Sequence, residues 1–452
     1  MQIIIVGCGK VGKTLAEQLQ EEANVDLTLI DISAESMQSV SENVDALMIE
    51  GNGASINTLR EAGIDKADLL IAVTGSDELN LLCCLIAQKS GHCHTIARVR
   101  NPVYFHEVEF IRERLGLTMI INPELSAAQE ISRLLRLPSA IKIDTFARRR
   151  IELLKFKVLP EFELNGLSVS ELADRFHLDI LVCGIENKDE VIIPGGNSLI
   201  HDGDMVSILA TPENTSAFFR KIGLKARQVK NTLIVGGGTI AIYLAQELLA
   251  MNIDVKIIES NEKRCEMLSD LLPEATVIHG DGTNHRLLME EGLALTESFI
   301  PMTDVDEENI FLSLYAKTRT KAKLIAKVNR MDSNEIIDSL DIGSVVYPKY
   351  VTADRILTYV RAMRNSYGSN VETLYHIMDG KAEALEFQIR EESPALNKPL
   401  STLKLKSNLL VGCLNRGGKI RIPRGQDSLK LGDTVVIVTT HRGLHDINDI
   451  LA

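Results

Sequence analysis

The same order of landmarks occurs twice along this chain, and no other feature limits its possible folds as tightly. Gly7-Cys8-Gly9-Lys10-Val11-Gly12 returns 229 positions later as Gly236-Gly237-Gly238-Thr239-Ile240-Ala241. At that interval Gly51-Asn52-Gly53 meets Gly280-Asp281-Gly282, Thr74 meets Thr303, Asp77 meets Asp306, and Asn80 meets Asn309. Ala97-Arg98-Val99 meets Ala326-Lys327-Val328, Pro194 meets Pro423, and Gly203-Asp204 meets Gly432-Asp433. Asp31 pairs with Glu259 one residue out of step. A register held over about 200 residues marks an internal duplication, and a repeat this long is a folded unit in tandem copies, not a solenoid turn.

Each copy opens on a glycine loop in a telling context. The apolar run Ile3–Val6 stops at the loop, an amphipathic segment carrying Leu15, Ala16 and Leu19 follows, and a second apolar run ends in Asp31. Strand, G-x-G-x-x-G, helix and an acid about 20 residues on form the dinucleotide-binding pattern. Gly7 permits the tight turn, Gly9 lets a pyrophosphate approach the backbone, and Gly12 lets helix and strand pack closely. Lys10 and Val11 open the helix, whose free N–H groups face the phosphates. Asp31 accepts from ribose hydroxyls; with no Arg directly after it, this crevice favours NAD(H) over a 2′-phosphorylated cofactor. In the second copy Gly236, Gly238, Thr239 and Ile240 take these places, and Ala241 stands where the third glycine would be. A G-x-G-x-x-A loop is still permitted.

Within the first copy, strands are expected at Ile3–Val6, Val25–Ile30, Ala46–Ile49, Leu69–Val73, Thr95–Val99 and Met119–Ile121. Helices are expected at Lys10–Glu22, Ala34–Ser41, Ser55–Ala62, Glu78–Lys89 and Val103–Arg114. This alternation implies a parallel sheet covered on both faces. An exit helix at Glu124–Leu137, stopped by Pro138, has its expected counterpart at Ala353–Arg364. Beyond each exit helix come short alternating segments with turn signals, such as Pro194-Gly195-Gly196 and Asn415-Arg416-Gly417-Gly418, ending in a Gly-Asp before an apolar strand. The fold class expected is therefore α/β: two tandem Rossmann-like parallel-sheet domains, each followed by a small β-rich α+β lobe. The boundaries expected are 1–137, 138–224, 229–365 and 366–452, with Lys225–Lys230 as a polar linker.

Composition removes several classes. The formal net charge of −13 argues against an extended nucleic-acid surface and against binding to anionic lipid. Apolar runs such as Leu81–Ala87 fall far short of the roughly 20 residues that span a bilayer. The chain starts on a core strand, so no signal peptide is expected, and any membrane role comes through a protein partner. Seven cysteines without a C-x-x-C pair fit reduced thiols of a cytosolic chain.

Taken together, the opening glycine loop, the G-N-G or G-D-G after the third strand and the T-x-x-D-x-x-N run resemble the RCK/KTN domain. The P-x-G…G-D lobe resembles its companion, the RCK C-terminal (TrkA-C) domain. Two such pairs in one chain are similar to the TrkA family, cytosolic regulatory subunits of Trk potassium-uptake systems. The resemblance covers essentially the whole chain. It implies NAD(H) and ATP/ADP as ligands, a TrkH/TrkG-like potassium-translocating membrane partner, and a homo-oligomer, either a dimer or a tetrameric ring. It also implies a place on the inner face of the membrane and gating in response to the bound nucleotide, without catalysis. Gly7, Cys8, Gly9, Lys10, Val11 and Gly12 match the family's dinucleotide loop, and Asp31 its ribose-binding acid. Asn52 falls at the adenosine, Thr74 and Gly75 beside the phosphates, and Arg98 at the basic residue facing them. In the second copy Glu259, Asp281 and Lys327 replace Asp31, Asn52 and Arg98, so that site is more acidic and differently shaped. The partner could instead be a cation/proton antiporter.

Other residues tempt a functional reading. His92-Cys93-His94 looks like a metal cluster, but alternate residues of an extended stretch face opposite ways and no second ligand pair lies near. Cys8 lies where a helix start would suit an oxidation sensor, but it reads first as a small packed side chain. Arg148-Arg149-Arg150 reads as a solvated hairpin turn, and Asp304, Asp306, Glu307 and Glu308 as a helix start rather than a cation site. An oxidoreductase needs an acid or base at the nicotinamide, yet His177, His201, His279 and His285 do not repeat between copies.

Overall fold

In a computed structural model, the chain is described over residues 1–22, 25–91, 93–101, 104, 107–138, 140–146, 150–187, 191–222, 228–329, 337, 340, 342–365, 371–378, 381–444 and 446–452. Like elements of the two copies pair. Met1–Ile131 and Asn231–Leu357 form one compact unit; Ser132–Lys230 and Thr358–Ala452 form the other.

The first unit holds two parallel six-stranded sheets. In the first copy β1 (Gln2–Val6), α1 (Lys10–Leu19), β2 (Asp26–Asp31), α2 (Ala34–Ser41) and β3 (Leu47–Glu50) are followed by α3 (Ile56–Glu61) and β4 (Leu69–Ala72). Then come α4 (Asp77–Ser90), β5 (His94–Arg98), α5 (Val108–Leu115), β6 (Met119–Ile121) and the exit helix α6 (Pro123–Arg136). The strand order is β3-β2-β1-β4-β5-β6, so the sheet reverses between β1 and β4, where a crevice opens at the strands' carboxyl ends. Ile3, Ile5, Leu69 and Ile71 are fully enclosed, as strands covered on both faces require.

The second copy repeats this with β12 (Asn231–Val235), β13 (Asp254–Glu259), β14 (Thr276–His279), β15 (Ser298–Pro301), β16 (Lys323–Lys327) and β17 (Ser344–Val346), ordered β14-β13-β12-β15-β16-β17. Its helices are α9 (Thr239–Ala250), α10 (Glu262–Leu271), α11 (His285–Glu290), α12 (Asp306–Lys317) and α13 (Pro348–Asn365). The parallel α/β architecture read from the sequence is thus present in both copies.

Of the helix expected at Val103–Arg114, Val108–Leu115 is described, and Val103 with residues 105–106 lies outside the described residues. Two further details differ from the expectation. The expected helix Lys10–Glu22 stops at Leu19. The counterpart of the exit helix begins at Pro348, not Ala353, because the register slips after β16. Residues 94–98 match 323–327, but 119–121 match 344–346, so the connection in the second copy is four residues shorter. Pro123 therefore corresponds to Pro348 and Glu124 to Lys349.

The second unit holds two antiparallel five-stranded sheets. The first contains β7 (Lys142–Phe146), β8 (Ile151–Lys157), β9 (Ile180–Glu186), β10 (Val191–Ile192) and β11 (Met205–Ala210), with α7 (Val169–Phe176) and α8 (Pro212–Lys221) against it. The second contains β18 (Val371–Ile377), β19 (Ala382–Gln388), β20 (Leu409–Arg416), β21 (Lys419–Arg421) and β22 (Thr434–Thr439). One apolar core draws on both, joining Phe146, Leu153, Cys183 and Leu209 to Met378, Cys413, Val436 and Val438. β7 and β8 form a hairpin as expected around 148–150; Arg150 Nη1 donates to the Gly418 carbonyl, while Arg148 and Arg149 lie outside the described residues. His92 and residues 225–227 of the expected linker also lie outside them.

Candidate functional site

The glycine corner of each copy is fixed by an acid at the end of the second strand. Gly7 adopts φ +107 and Gly236 φ +98, turns open to glycine without strain. Cys8 N donates to Asp31 Oδ2 at 2.6 Å, and Ser33 N to Asp31 Oδ1 at 2.9 Å. The second copy reproduces the brace: Gly237 N donates to Glu259 Oε2 and Asn261 N to Glu259 Oε1, each at 2.8 Å. A Cβ at Gly12 would lie 1.8 Å from the Gly7 carbonyl oxygen, so helix and turn touch there. Ala241, at the equivalent place, is fully enclosed.

The T-x-x-D-x-x-N run closes the opposite wall. Asn80 is completely buried; its Oδ1 accepts from Thr74 N at 2.8 Å and from Thr74 Oγ1 at 2.7 Å, and its Nδ2 donates to the Arg98 carbonyl at 2.9 Å. Asp77 Oδ2 accepts from the main-chain N–H groups of Arg100 and Asn101 at 2.9 and 2.8 Å. The second copy has Asn309 between Thr303 and the Lys327 carbonyl, and Asp306 accepting from Asn329 N. One run of sequence thus ties the ends of two neighbouring strands together at the crevice mouth.

Within this unit the two crevices open into one cavity of about 1040 Å³, at the upper end of the roughly 300–1,000 Å³ common for ligand sites. Of the residues singled out from the sequence, Gly7, Gly9, Lys10, Val11, Asp31, Asn52, Thr74, Gly75 and Arg98 line it from the first copy. Gly236, Gly238, Thr239, Ile240, Glu259, Asp281 and Lys327 line it from the second. Cys8 and Gly12 are not among the lining residues; they act through backbone and packing.

The walls carry charge. Arg98 Nη2 donates to the Thr74 carbonyl, and Arg100 Nη2 to the Gly75 carbonyl at 2.5 Å. Burial, then the neighbouring Arg100, lowers the Arg98 pKa from its ordinary value, while its buried Nε has no hydrogen-bond partner among the described residues. Glu124, at the start of α6, is pushed above the usual carboxylate range by burial. Lys327 Nζ lies 3.3 Å from the fully exposed Asp304, and Asp281 is lowered by hydrogen bonds from the N–H and hydroxyl of Thr283. Arg100, Glu124, Ser36, Arg264 and Lys349 also line the cavity and were not singled out from the sequence. Only the pairing of the repeats gathers them there, although the departure of Glu124 from Lys349 was readable once the register slip is known.

Cys93 is buried and His94 exposed, as an extended stretch requires, and no group of metal-ligating side chains occurs among the described residues. Asp306 opens α12 with Glu307 and Glu308 in its first turn. Burial, then the Asp31 charge, pushes the Cys8 thiol up to about 12.

Two Rossmann crevices in one unit and two antiparallel lobes in another define a duplicated α/β protein of the dinucleotide-fold class. The family model of the TrkA-N domain matches residues 3–123 and 232–348, and that of the TrkA-C domain residues 153–223 and 384–452. A Trk system potassium uptake protein TrkA homolog from Methanosarcina mazei is 33% identical over 445 residues, 97% of either chain. Trk system potassium uptake protein TrkA from Haemophilus influenzae is 32% identical over 97% of this chain and 95% of its own. The chain belongs to the TrkA family. Among solved structures, the RCK domain of GsuK superposes with a TM-score of 0.63 at 16% identity, covering 97% of this chain and 92% of that one. The GsuK channel bound to NAD superposes with a TM-score of 0.64 at 17% identity, covering 97% and 76%. These likenesses show the shared fold.

Proposed function

We propose that this chain is a non-catalytic, nucleotide-binding regulatory subunit of a potassium-uptake system. It acts on the cytoplasmic face of the membrane and gates a potassium-translocating partner of the TrkH/TrkG kind as NAD(H), ATP or ADP exchange in its crevices. The domains are 1–137, 138–224, 229–365 and 366–452, and subunits associate as dimers or tetrameric rings.

The observation that carries this reading is the cavity itself. Two glycine corners, two braced acids and the inward side chains of Lys10, Arg98, Arg100 and Lys327 converge on one space. In each crevice loop N–H groups and the helix end meet phosphate from one side and the basic strand end meets it from the other. A ligand with more phosphate charge draws these walls together more strongly, and that difference in contact energy is what shifts the gating equilibrium. Relatives named for potassium uptake and a channel of this fold solved with NAD bound support the assignment. No helix among the described residues is long and apolar enough to cross a membrane, consistent with a separate membrane partner.

Calorimetric titration with NADH, NAD and ATP tests this. Binding of at least one nucleotide, weakened tenfold or more by Arg98→Ala, is expected. Absence of binding by the wild type, or an unchanged affinity in the variant, sinks the reading. Co-purification separates a potassium channel partner from an antiporter, and steady NADH turnover on carbonyl compounds would restore the oxidoreductase.

A further inference from the structure

The two crevices differ in charge at their ribose ends. In the first, Asp31 lies beside Glu50 in the strand register, and the next residues facing the cavity are Ile32 and Ser36. Two carboxylates and no cation mark that rim. In the second, Glu259 lies beside His279, and Ser260 and Arg264 face the cavity. One carboxylate has become an imidazole and a guanidinium has been added, while Asp281 brings a carboxylate where the first copy has Asn52, one of its oxygens already accepting from the Thr283 N–H and hydroxyl.

Ser36 and Arg264 hold equivalent places. Each is the residue whose main-chain N–H meets the side chain of its helix N-cap, Ser33 in α2 and Asn261 in α10. Arg264 Nε donates to the Gly237 carbonyl at 2.6 Å, which holds the guanidinium against the glycine loop. Its Nη atoms make no hydrogen bond among the described residues. Glu259 beside it is already engaged, since each oxygen accepts a main-chain N–H. At the inner, phosphate end the bias reverses: Lys10, Arg98 and Arg100 in the first crevice face Thr239, Lys327 and Asn329 in the second.

We propose that the second crevice takes an adenine dinucleotide phosphorylated on the ribose 2′ oxygen, with Arg264 as the residue that reads that phosphate. This rests on the nucleotide-binding reading above. A free pair of guanidinium donors beside the ribose acid is what a 2′-phosphate requires, and a planar fork meets phosphate oxygens two at a time. The first crevice, with Ser36 in that place and two carboxylates at the rim, excludes the extra phosphate and takes nucleotides charged only along the 5′ chain.

Titration of the full-length chain with NADPH and NADH, followed by calorimetry and nucleotide fluorescence, provides the test. One NADPH per chain is expected, displaced by 2′-AMP at lower concentration than by 5′-AMP. Arg264→Ser should weaken NADPH at least tenfold and NADH less than threefold, with Arg264→Lys between. Ser36→Arg should raise the affinity of the first crevice for NADPH. If NADH binds but NADPH does not, or if Arg264→Ser leaves NADPH unchanged or weakens both ligands equally, the proposal is overturned. Failure of the wild type to bind either nucleotide counts instead against the broader assignment.

Discussion

The hydroxyl of Tyr243 in the second copy donates to the main-chain carbonyl of Arg100 in the first at 2.9 Å and accepts from Asn122 Nδ2 at 3.0 Å. Tyr243 is 1% exposed, on the glycine-loop helix α9, and its counterpart on α1 is the buried Thr14. The counterpart of Asn122 is Tyr347, so the large and small members of the pair trade places between copies. The repeats therefore fit each other as a complementary pair, and the bond holds the chain beside two cavity-lining arginines. Tyr243→Phe keeps the ring but leaves two half-buried groups without this partner, and should cost about 1 kcal/mol in urea denaturation. Burial pushes the Tyr243 phenol up to about 12. An unfolded tyrosine ionises near 10, so this proton stabilises the fold fully below that pH, and the contribution is lost as pH rises through 10 toward 12. The Phe variant should lack that decline.

Asn80 and Asn309 should matter more than their distance from any charge suggests. Each is fully buried and ties the second residue after one strand to the last carbonyl of the next. Asn80→Ala removes four hydrogen bonds and strands the Thr74 N–H and the Arg98 carbonyl, an expected loss of about 2–4 kcal/mol. Nucleotide affinity should fall with it, because Arg98 and Thr74 line the cavity. An unaltered unfolding midpoint in the Asn80→Ala variant would contradict this role.

Those two asparagines show what was legible in the sequence. Their spacing from Thr74 and Asp77 marked a repeated landmark, but nothing in a linear string says that the amide reaches across to Arg98. The parallel sheets were readable because strands buried on both faces are continuous apolar runs and glycine marks each turn. The acids Asp31 and Glu259 were readable for the same reason, being the last residues of such runs. Arg264 was not, since it sits on a polar helix start like many solvated arginines, and only the fold aims it at the loop. Glu124 was hidden by the shorter connection after β16, which broke the register before its true counterpart, Lys349, could be aligned.

The repeated Gly-Asp of the antiparallel lobes has a measurable role. In the second lobe Asp433, 1% exposed, takes a two-pronged contact from Arg416: Nε to Oδ1 at 2.8 Å and Nη2 to Oδ2 at 2.7 Å. Lys430 N also donates to it, and Arg416 reaches the Ser428 carbonyl, so the turn before β22 is closed at both ends. Arg416 is 35% exposed, so the pair is half-buried, and losing its charge-assisted hydrogen bonds costs about 1.5–3 kcal/mol. Asp433→Ala should lose about that much in denaturant titration, whereas Asp204→Ala should lose less, because Asp204 accepts from the His201 N–H at 2.8 Å with the His201 ring 3.7 Å away, and no guanidinium pairs with it among the described residues.

All seven cysteines are buried and reduced. Burial is the first cause of the raised pKa at each, to about 12 at Cys8, Cys83 and Cys413 and about 11 at Cys93. The thiolate is the reactive form, so at pH 8 a thiol of pKa 12 is ionised to about one part in ten thousand. The native protein should therefore resist Ellman's reagent on the time scale of minutes and release seven equivalents only in denaturant. Cys8 is the sharpest case, since a helix start ordinarily lowers a thiol pKa; here enclosure and the nearby Asp31 charge act the other way. The second copy shows what replaces it: Gly237 leaves room that the Leu268 side chain fills, where the first copy has Val40. Cys8→Ala should thus cost about 1 kcal/mol of packing and leave NADH affinity within about twofold, since no thiol faces the cavity. Rapid labelling of Cys8 in the folded chain, slowed by bound NADH, would instead make it an oxidation sensor after all.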